Sequence, residues 1–143
     1  MRAVLALVAI LGGCATVQEP APVSVPAPAP APVAPVGSAA VASLYDGARA
    51  DVAAGRLANA AASLERALRI EPRNPRLWQE LARVRLMQGE FAQAESVAAR
   101  SNSWAGGDNR LRAENWRLIA QAREARGDAA GARAAQDAAE RQR

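Results

Sequence analysis

Small and apolar residues recur along the chain after Ser38 with a spacing that repeats. Three segments share one order, in which a glycine, any residue, a small or apolar residue and two further residues precede an alanine. They are AAGRLANAAASL, MQGEFAQAESVA and ARGDAAGARAAQ. Gly55 and Gly89 lie 34 residues apart, whereas Gly89 and Gly127 lie 38 apart. We therefore expect repeated units, with four extra residues between the second and third units around Ser101 to Arg110.

The repeated positions predict pairs of antiparallel helices. Small alanines at the crossing points let two helices approach closely, and glycine accepts the positive φ that ends a helix before a tight turn. Pro72 and Pro75 fall between the first and second pairs, where proline is tolerated in the first turn of a helix. The predicted helices span residues 41–54, 57–70, 75–88, 91–101, 112–126 and 129–141.

The pattern resembles the tetratricopeptide repeat, which has a period of about 34 residues. Departures are Gly47, where a large apolar residue is usual, and Ser101, where alanine is usual. The resemblance implies an all-α domain over residues 41–143, in which three tetratricopeptide-type hairpins form a short right-handed solenoid. The repeats span about 41–74, 75–108 and 113–143. The matching residues are Leu44, Ala48, Gly55, Leu57, Ala60, Ala67 and Pro72, then Trp78, Leu81, Ala82, Gly89, Phe91 and Ala94, then Trp116, Ile119, Ala120, Gly127, Ala129, Ala132 and Ala139.

The amino terminus has the features of an export signal. Arg2 supplies a positive charge, and the apolar run that follows it ends at Leu11, before two glycines. This run is about half of the ~20 residues that a membrane-spanning helix needs. The tetrapeptide LGGC, which ends at Cys14, resembles the lipobox of bacterial lipoproteins. The resemblance implies that residues 1–13 are removed and that Cys14 carries diacylglycerol, with palmitate as a label. Ordinary secretory cleavage nearby, for example after Ala15, is the alternative.

Ala15 follows the cysteine where an aspartate would favour retention in the inner membrane. By resemblance to lipoprotein sorting, the expected location is the periplasmic leaflet of the outer membrane. Residues 14–40 then form a Pro/Ala-rich linker, since seven of the nine prolines fall between Pro20 and Pro35. Such a tract excludes helix and favours a disordered, extended tether with a reach on the order of 80 Å. A ligand for a proline-reading module is the alternative.

Composition argues against catalysis and against nucleic acid. The chain has no histidine, one cysteine and no phosphate-binding glycine loop, so we expect no enzyme activity, catalytic residue, metal, cofactor or small-molecule substrate. All eighteen basic residues are arginine, and the net charge is +4. They are interleaved with acids, however, which is typical of a solvated helical surface.

The first helix of each repeat is expected to line a concave face that binds another protein. Arg49, Arg83 and Arg117 lie at similar repeat positions, so they could flank an acidic segment and pair with its carboxylates. Trp104, in the extra residues between repeats, is expected to be either a packing plug or a binding anchor. The predicted partner-binding residues are Tyr45, Arg49, Val52, Arg76, Gln79, Arg83, Leu86, Trp104, Arg117, Gln121 and Glu124.

Lipobox, tether and short repeat domain together resemble the lipoprotein activators of bifunctional class A penicillin-binding proteins. The stretches LWQELARVRLMQGEFAQAESVAARSN and NWRLIAQAREARGD carry this resemblance. It implies a periplasmic partner of that class and a role in peptidoglycan synthesis. Two alternatives are a pilotin-like lipoprotein that assists envelope assembly and a structural linker between outer membrane and peptidoglycan.

Overall fold

The computed structural model describes residues 39–143, which form six α-helices. The predictions for the signal peptide, Cys14 and the tether fall outside these residues. None of the helices described has the length and hydropathy required to cross a membrane. The helices are α1 (Ala39–Ala53), α2 (Leu57–Ile70), α3 (Pro75–Met87), α4 (Phe91–Trp104), α5 (Asn109–Ala125) and α6 (Ala129–Glu140).

The helices pack as three antiparallel hairpins, each stacked on the next, which confirms the tetratricopeptide-type fold. Alanines at the six predicted crossing points are all buried. Within each hairpin the turn contains a glycine with φ between 72° and 82°. This left-handed conformation strains residues that have a Cβ. The crossing alanines are Ala48, Ala60, Ala82, Ala94, Ala120 and Ala132, and the turn glycines are Gly55, Gly89 and Gly127.

The four extra residues between the second and third repeats lie in α5, which has 17 residues where α3 has 13. We predicted that α4 would end at residue 101 and that α5 would begin at 112, but α4 continues to Trp104 and α5 begins at Asn109. Asp108 caps α5, because its Oδ1 accepts a hydrogen bond from the backbone N–H of Leu111 at 2.9 Å. The connection is therefore short, and Trp104 belongs to a helix.

A buried polar network joins the second repeat to the third. Asn115 is completely buried, and its Nδ2 donates to Ser101 Oγ at 2.7 Å and to Asn102 Oδ1 at 2.9 Å. Its Oδ1 accepts from Gln79 Nε2 at 3.0 Å. Ser101 Oγ donates in turn to the carbonyl of Pro75 at 2.8 Å. Serine at the usual alanine position is thus a member of a network that links α3, α4 and α5.

Candidate protein-binding groove

The first helices of the three repeats line a groove with a volume of about 700 Å³. Apolar side chains from all three helices form much of its wall, and charged residues stand among them. Met87, 49% exposed, gives this wall a flexible side chain that adapts to different apolar partners. Seven of the predicted partner-binding residues line the groove, namely Tyr45, Arg49, Val52, Arg83, Leu86, Arg117 and Gln121. The geometry suits an extended or helical segment that combines apolar and charged side chains.

Arg83 is held by acids of the groove itself. Its Nη2 lies 3.1 Å from Glu114 Oε2, and its Nε lies 4.0 Å from Glu80 Oε1. Glu114 also forms an ion pair with Arg110, one turn earlier in α5, whose Nε lies 3.4 Å from Glu114 Oε1. Most of the charge of Arg83 is therefore compensated within the domain, which leaves it less available to an acidic partner.

Arg49 and Arg117 differ from Arg83. Both are exposed, both line the groove, and neither forms an ion pair with any residue from 39 to 143. They come from α1 and α5, the two outer helices of the groove. Guanidinium groups bind carboxylates in a bidentate manner, so these two arginines are the cations best placed to recognise an anionic segment.

Tyr45 stands between the groove and a smaller depression beside α2 and α3. Burial of its ring raises the pKa of the phenol above its ordinary value of 10.0, and the charge of Glu80 raises it further. Arg49, Arg83 and Arg76 act in the opposite direction. A phenol is already protonated at neutral pH at its ordinary pKa, and the upward shift keeps it so. Tyr45 can therefore donate a hydrogen bond to a partner.

Gln79 does not lie where we predicted. Its side chain is only 6% exposed, and its Nε2 donates to Asn115 and, at 3.5 Å, to the carbonyl of Leu111. The neighbouring α5 covers this side of α3, because the third repeat packs against it. Gln79 therefore joins the inter-repeat network and is not presented to a partner.

Three other predicted residues lie away from the main groove. Arg76 lines the smaller depression beside Tyr45, and its Nη2 lies 3.8 Å from Asp108 Oδ2. Glu124 lines a separate depression between α5 and α6. Trp104 is 42% exposed at the end of α4, and the guanidinium of Arg73 lies 5.2 Å from its ring centroid. Trp104 is thus not a buried plug.

Sequence reasoning missed the two glutamates of the groove. Glu114 stands 38 residues after Arg76, the same interval that separates Trp78 from Trp116, so the repeat phase contained a signal for it. The pairing of Glu80 and Glu114 with Arg83 carried no comparable signal, since it depends on how far α5 lies from α3.

Comparisons with known proteins agree with this architecture. The family model described as tetratricopeptide repeat matches residues 51–115. No protein with a curated function matches the chain significantly. A solved structure, the globular C-terminal domain of LpoP from P. aeruginosa, is 50% identical, with a TM-score of 0.70. The match covers 72% of this chain and 97% of that domain. The chain is therefore a member of the tetratricopeptide-repeat family that includes the globular domain of LpoP.

Proposed function

We propose that the chain is a non-catalytic outer-membrane lipoprotein that binds and activates a class A penicillin-binding protein in the periplasm. The observation that carries this proposal is the 50% identity to nearly the whole LpoP domain. It is joined by the resemblance of the repeats to the lipoprotein activators of these synthases. In this proposal Cys14 carries the lipid, and the Pro/Ala tract connects the lipid to the repeat domain.

The groove is the surface that we assign to the synthase. An activator without chemistry of its own changes a reaction only by binding one conformation of the enzyme better than another. A preference of about 1–3 kcal/mol changes the ratio of two conformations about 5- to 150-fold. Arg49 and Arg117 would contact carboxylates of the synthase, while Val52, Leu86 and Met87 would take apolar side chains between them.

The test is glycan-chain synthesis from lipid II by a purified cognate synthase, with and without residues 38–143. We expect the domain to raise the rate, and we expect the double variant Arg49→Gln/Arg117→Gln to require at least tenfold more protein for half-maximal stimulation. A tenfold change corresponds to about 1.4 kcal/mol. This is close to the lower end of the ~1.5–3 kcal/mol expected for a single charge-assisted contact, so the loss of even one of the two contacts would meet it.

The matched control is Arg126→Gln/Arg133→Gln, which removes the same charge from exposed positions outside the groove. It should stimulate the synthase like the wild type, whereas equal loss in both pairs would show that only net charge matters. An unchanged rate together with no detectable association would remove the activator proposal.

A further inference from the structure

One end of the domain carries several exposed arginines that form no ion pair within residues 39–143. Antiparallel hairpins place the start of α1, the end of α2, the α2–α3 turn and the end of α4 at this same end. α2 and the turn that follows it contain two acids. Glu65 pairs with Arg85, whereas Glu71 accepts a hydrogen bond from the neutral side chain of Asn74 at 2.7 Å and forms no ion pair with any residue from 39 to 143. In α2, the α2–α3 turn and α4, the exposed arginines that form no ion pair with any residue from 39 to 143 are Arg66, Arg69, Arg73 and Arg100.

Arginines in the turns at the opposite end are paired. Arg56 Nε lies 2.7 Å from Asp51 Oδ1. The carboxylate of Glu95 forms ion pairs with Arg123 Nη2 at 2.7 Å and with Arg126 Nη1 at 3.1 Å. Each of these turn arginines therefore contacts a carboxylate, whereas the four exposed arginines of the first end do not. Unpaired positive charge at one end favours an anionic surface there.

Two large apolar side chains are exposed among the unpaired arginines. Ile70, at the end of α2, is 50% exposed, and Trp104, at the end of α4, is 42% exposed. Arg73 covers one face of the Trp104 ring, and Arg100 precedes Trp104 by one helical turn. We call this surface the basic-aromatic end; it consists of Arg66, Arg69, Ile70, Arg73, Arg100 and Trp104.

Contacts within the domain hold part of this surface in place. Arg100 stacks on Trp78, with its guanidinium carbon 5.2 Å from the ring centroid. Trp78 Nε1 in turn donates a hydrogen bond to the carbonyl of Pro72 at 2.8 Å. A surface that is ordered before it meets its partner loses less conformational entropy on binding.

The chain enters the domain beside this surface. Ala40, in the first turn of α1, lines a shallow depression together with Arg66, Arg69 and Ile70. Everything that precedes α1, including Cys14, is therefore connected to the domain at its basic-aromatic end. We propose that this end docks on the surface of an anionic phospholipid bilayer. The proposal takes the lipid anchor from the proposed function, and it leaves the groove free for the synthase.

The chemistry fits a bilayer. An anionic leaflet attracts arginines, and this electrostatic attraction falls off within a Debye length of the surface. Tryptophan is enriched at the boundary between headgroups and acyl chains. An isoleucine and a tryptophan that project beside the arginines can enter this boundary while the guanidinium groups stay with the phosphates. An acidic protein would meet the same arginines, but the position of the chain entry favours the membrane.

The test measures binding of residues 38–143 to vesicles of phosphatidylcholine alone and of phosphatidylcholine mixed with phosphatidylglycerol. The soluble fragment is suitable because the related domain of LpoP has been solved as a separate globular unit. We expect binding only to the mixed vesicles and weaker binding at high salt. Arg66→Gln/Arg69→Gln should reduce the partition coefficient about 30-fold, from about fivefold for each arginine. A blue shift of tryptophan emission on binding should disappear in Trp104→Phe.

The control pair Arg126→Gln/Arg133→Gln has the same net charge and should keep most of the binding. No dependence on phosphatidylglycerol, or equal losses in the two pairs, would overturn the proposal. The proposal would also be overturned if variants of the basic-aromatic end bound vesicles normally but no longer stimulated the synthase, because this surface would then bind a protein. The lipid anchor is tested separately by metabolic labelling of the full-length protein with palmitate. Absence of the label would refute lipidation at Cys14 and would leave the vesicle result unaffected.

Discussion

Replacing Asn115 by alanine tests whether the polar network holds the second and third repeats together. Asn115 is completely buried and makes three side-chain hydrogen bonds, two as donor and one as acceptor. Alanine removes all three. It leaves the buried amide of Gln79 with only its long 3.5 Å contact to the carbonyl of Leu111.

The cost follows from these contacts. Each net hydrogen bond contributes about 0.5–1.5 kcal/mol, and a buried donor left without a partner costs about 1–3 kcal/mol. Because water can enter the space left by the side chain and recover part of this, we expect Asn115→Ala to lower the free energy of unfolding by about 3 kcal/mol. That is a large share of the 5–15 kcal/mol typical of a domain.

The assay is urea denaturation of residues 38–143 followed by circular dichroism at the helical minimum. Asn59→Ala is the control, because Asn59 is exposed on α2 and should change stability by less than about 0.5 kcal/mol. The double variant Gln79→Leu/Asn115→Leu should lose less than Asn115→Ala, since it removes both partners of the Gln79–Asn115 hydrogen bond and leaves no buried Gln79 amide without its acceptor. If Asn115→Ala behaves like Asn59→Ala, the network does not stabilise the repeat interface.

Two further predictions concern backbone conformation and pH. Gly89 has a φ of 77°, whereas Gly47 lies inside α1. A Cβ added at either position would meet no atom within 4 Å, so the comparison isolates the effect of backbone conformation. Thermal denaturation should show Gly89→Ala destabilised by about 1–2 kcal/mol and Gly47→Ala stabilised by about 0.5–1 kcal/mol; the same sign for both would refute this explanation. Because the pKa of Tyr45 is raised in the folded state, the folded protein binds more protons than the unfolded protein above pH 10.0. The contribution of Tyr45 to the free energy of unfolding is therefore constant below pH 10.0 and is lost as the pH rises through the folded pKa. Ultraviolet titration should show one phenol, absent in Tyr45→Phe, that ionises above 10.0, and ionisation at or below 10.0 would contradict the burial of its ring.

The sequence alone determined the hairpins, because local rules decide them. Glycine is needed where φ is positive, and alanine is needed where two helices cross, so their spacing revealed the period and the six helices. The same periodicity assigned α1, α3 and α5 to one face, and seven predicted residues do line the groove. Only near the four extra residues did the predicted boundaries of α4 and α5 miss the observed helix ends by three residues.

Tertiary structure alone decided how these residues are used. Gln79 and Arg83 both looked exposed by repeat phase, yet α5 packs close enough to bury Gln79 and to bring Glu114 to Arg83. The basic-aromatic end likewise combines residues from α2, the following turn and α4, which are distant in sequence. Periodicity specifies which way a side chain points on its own helix. Whether that side chain meets water, a carboxylate or a buried amide depends on the neighbouring repeat, because polar pairing requires distances of a few ångströms that sequence spacing does not encode.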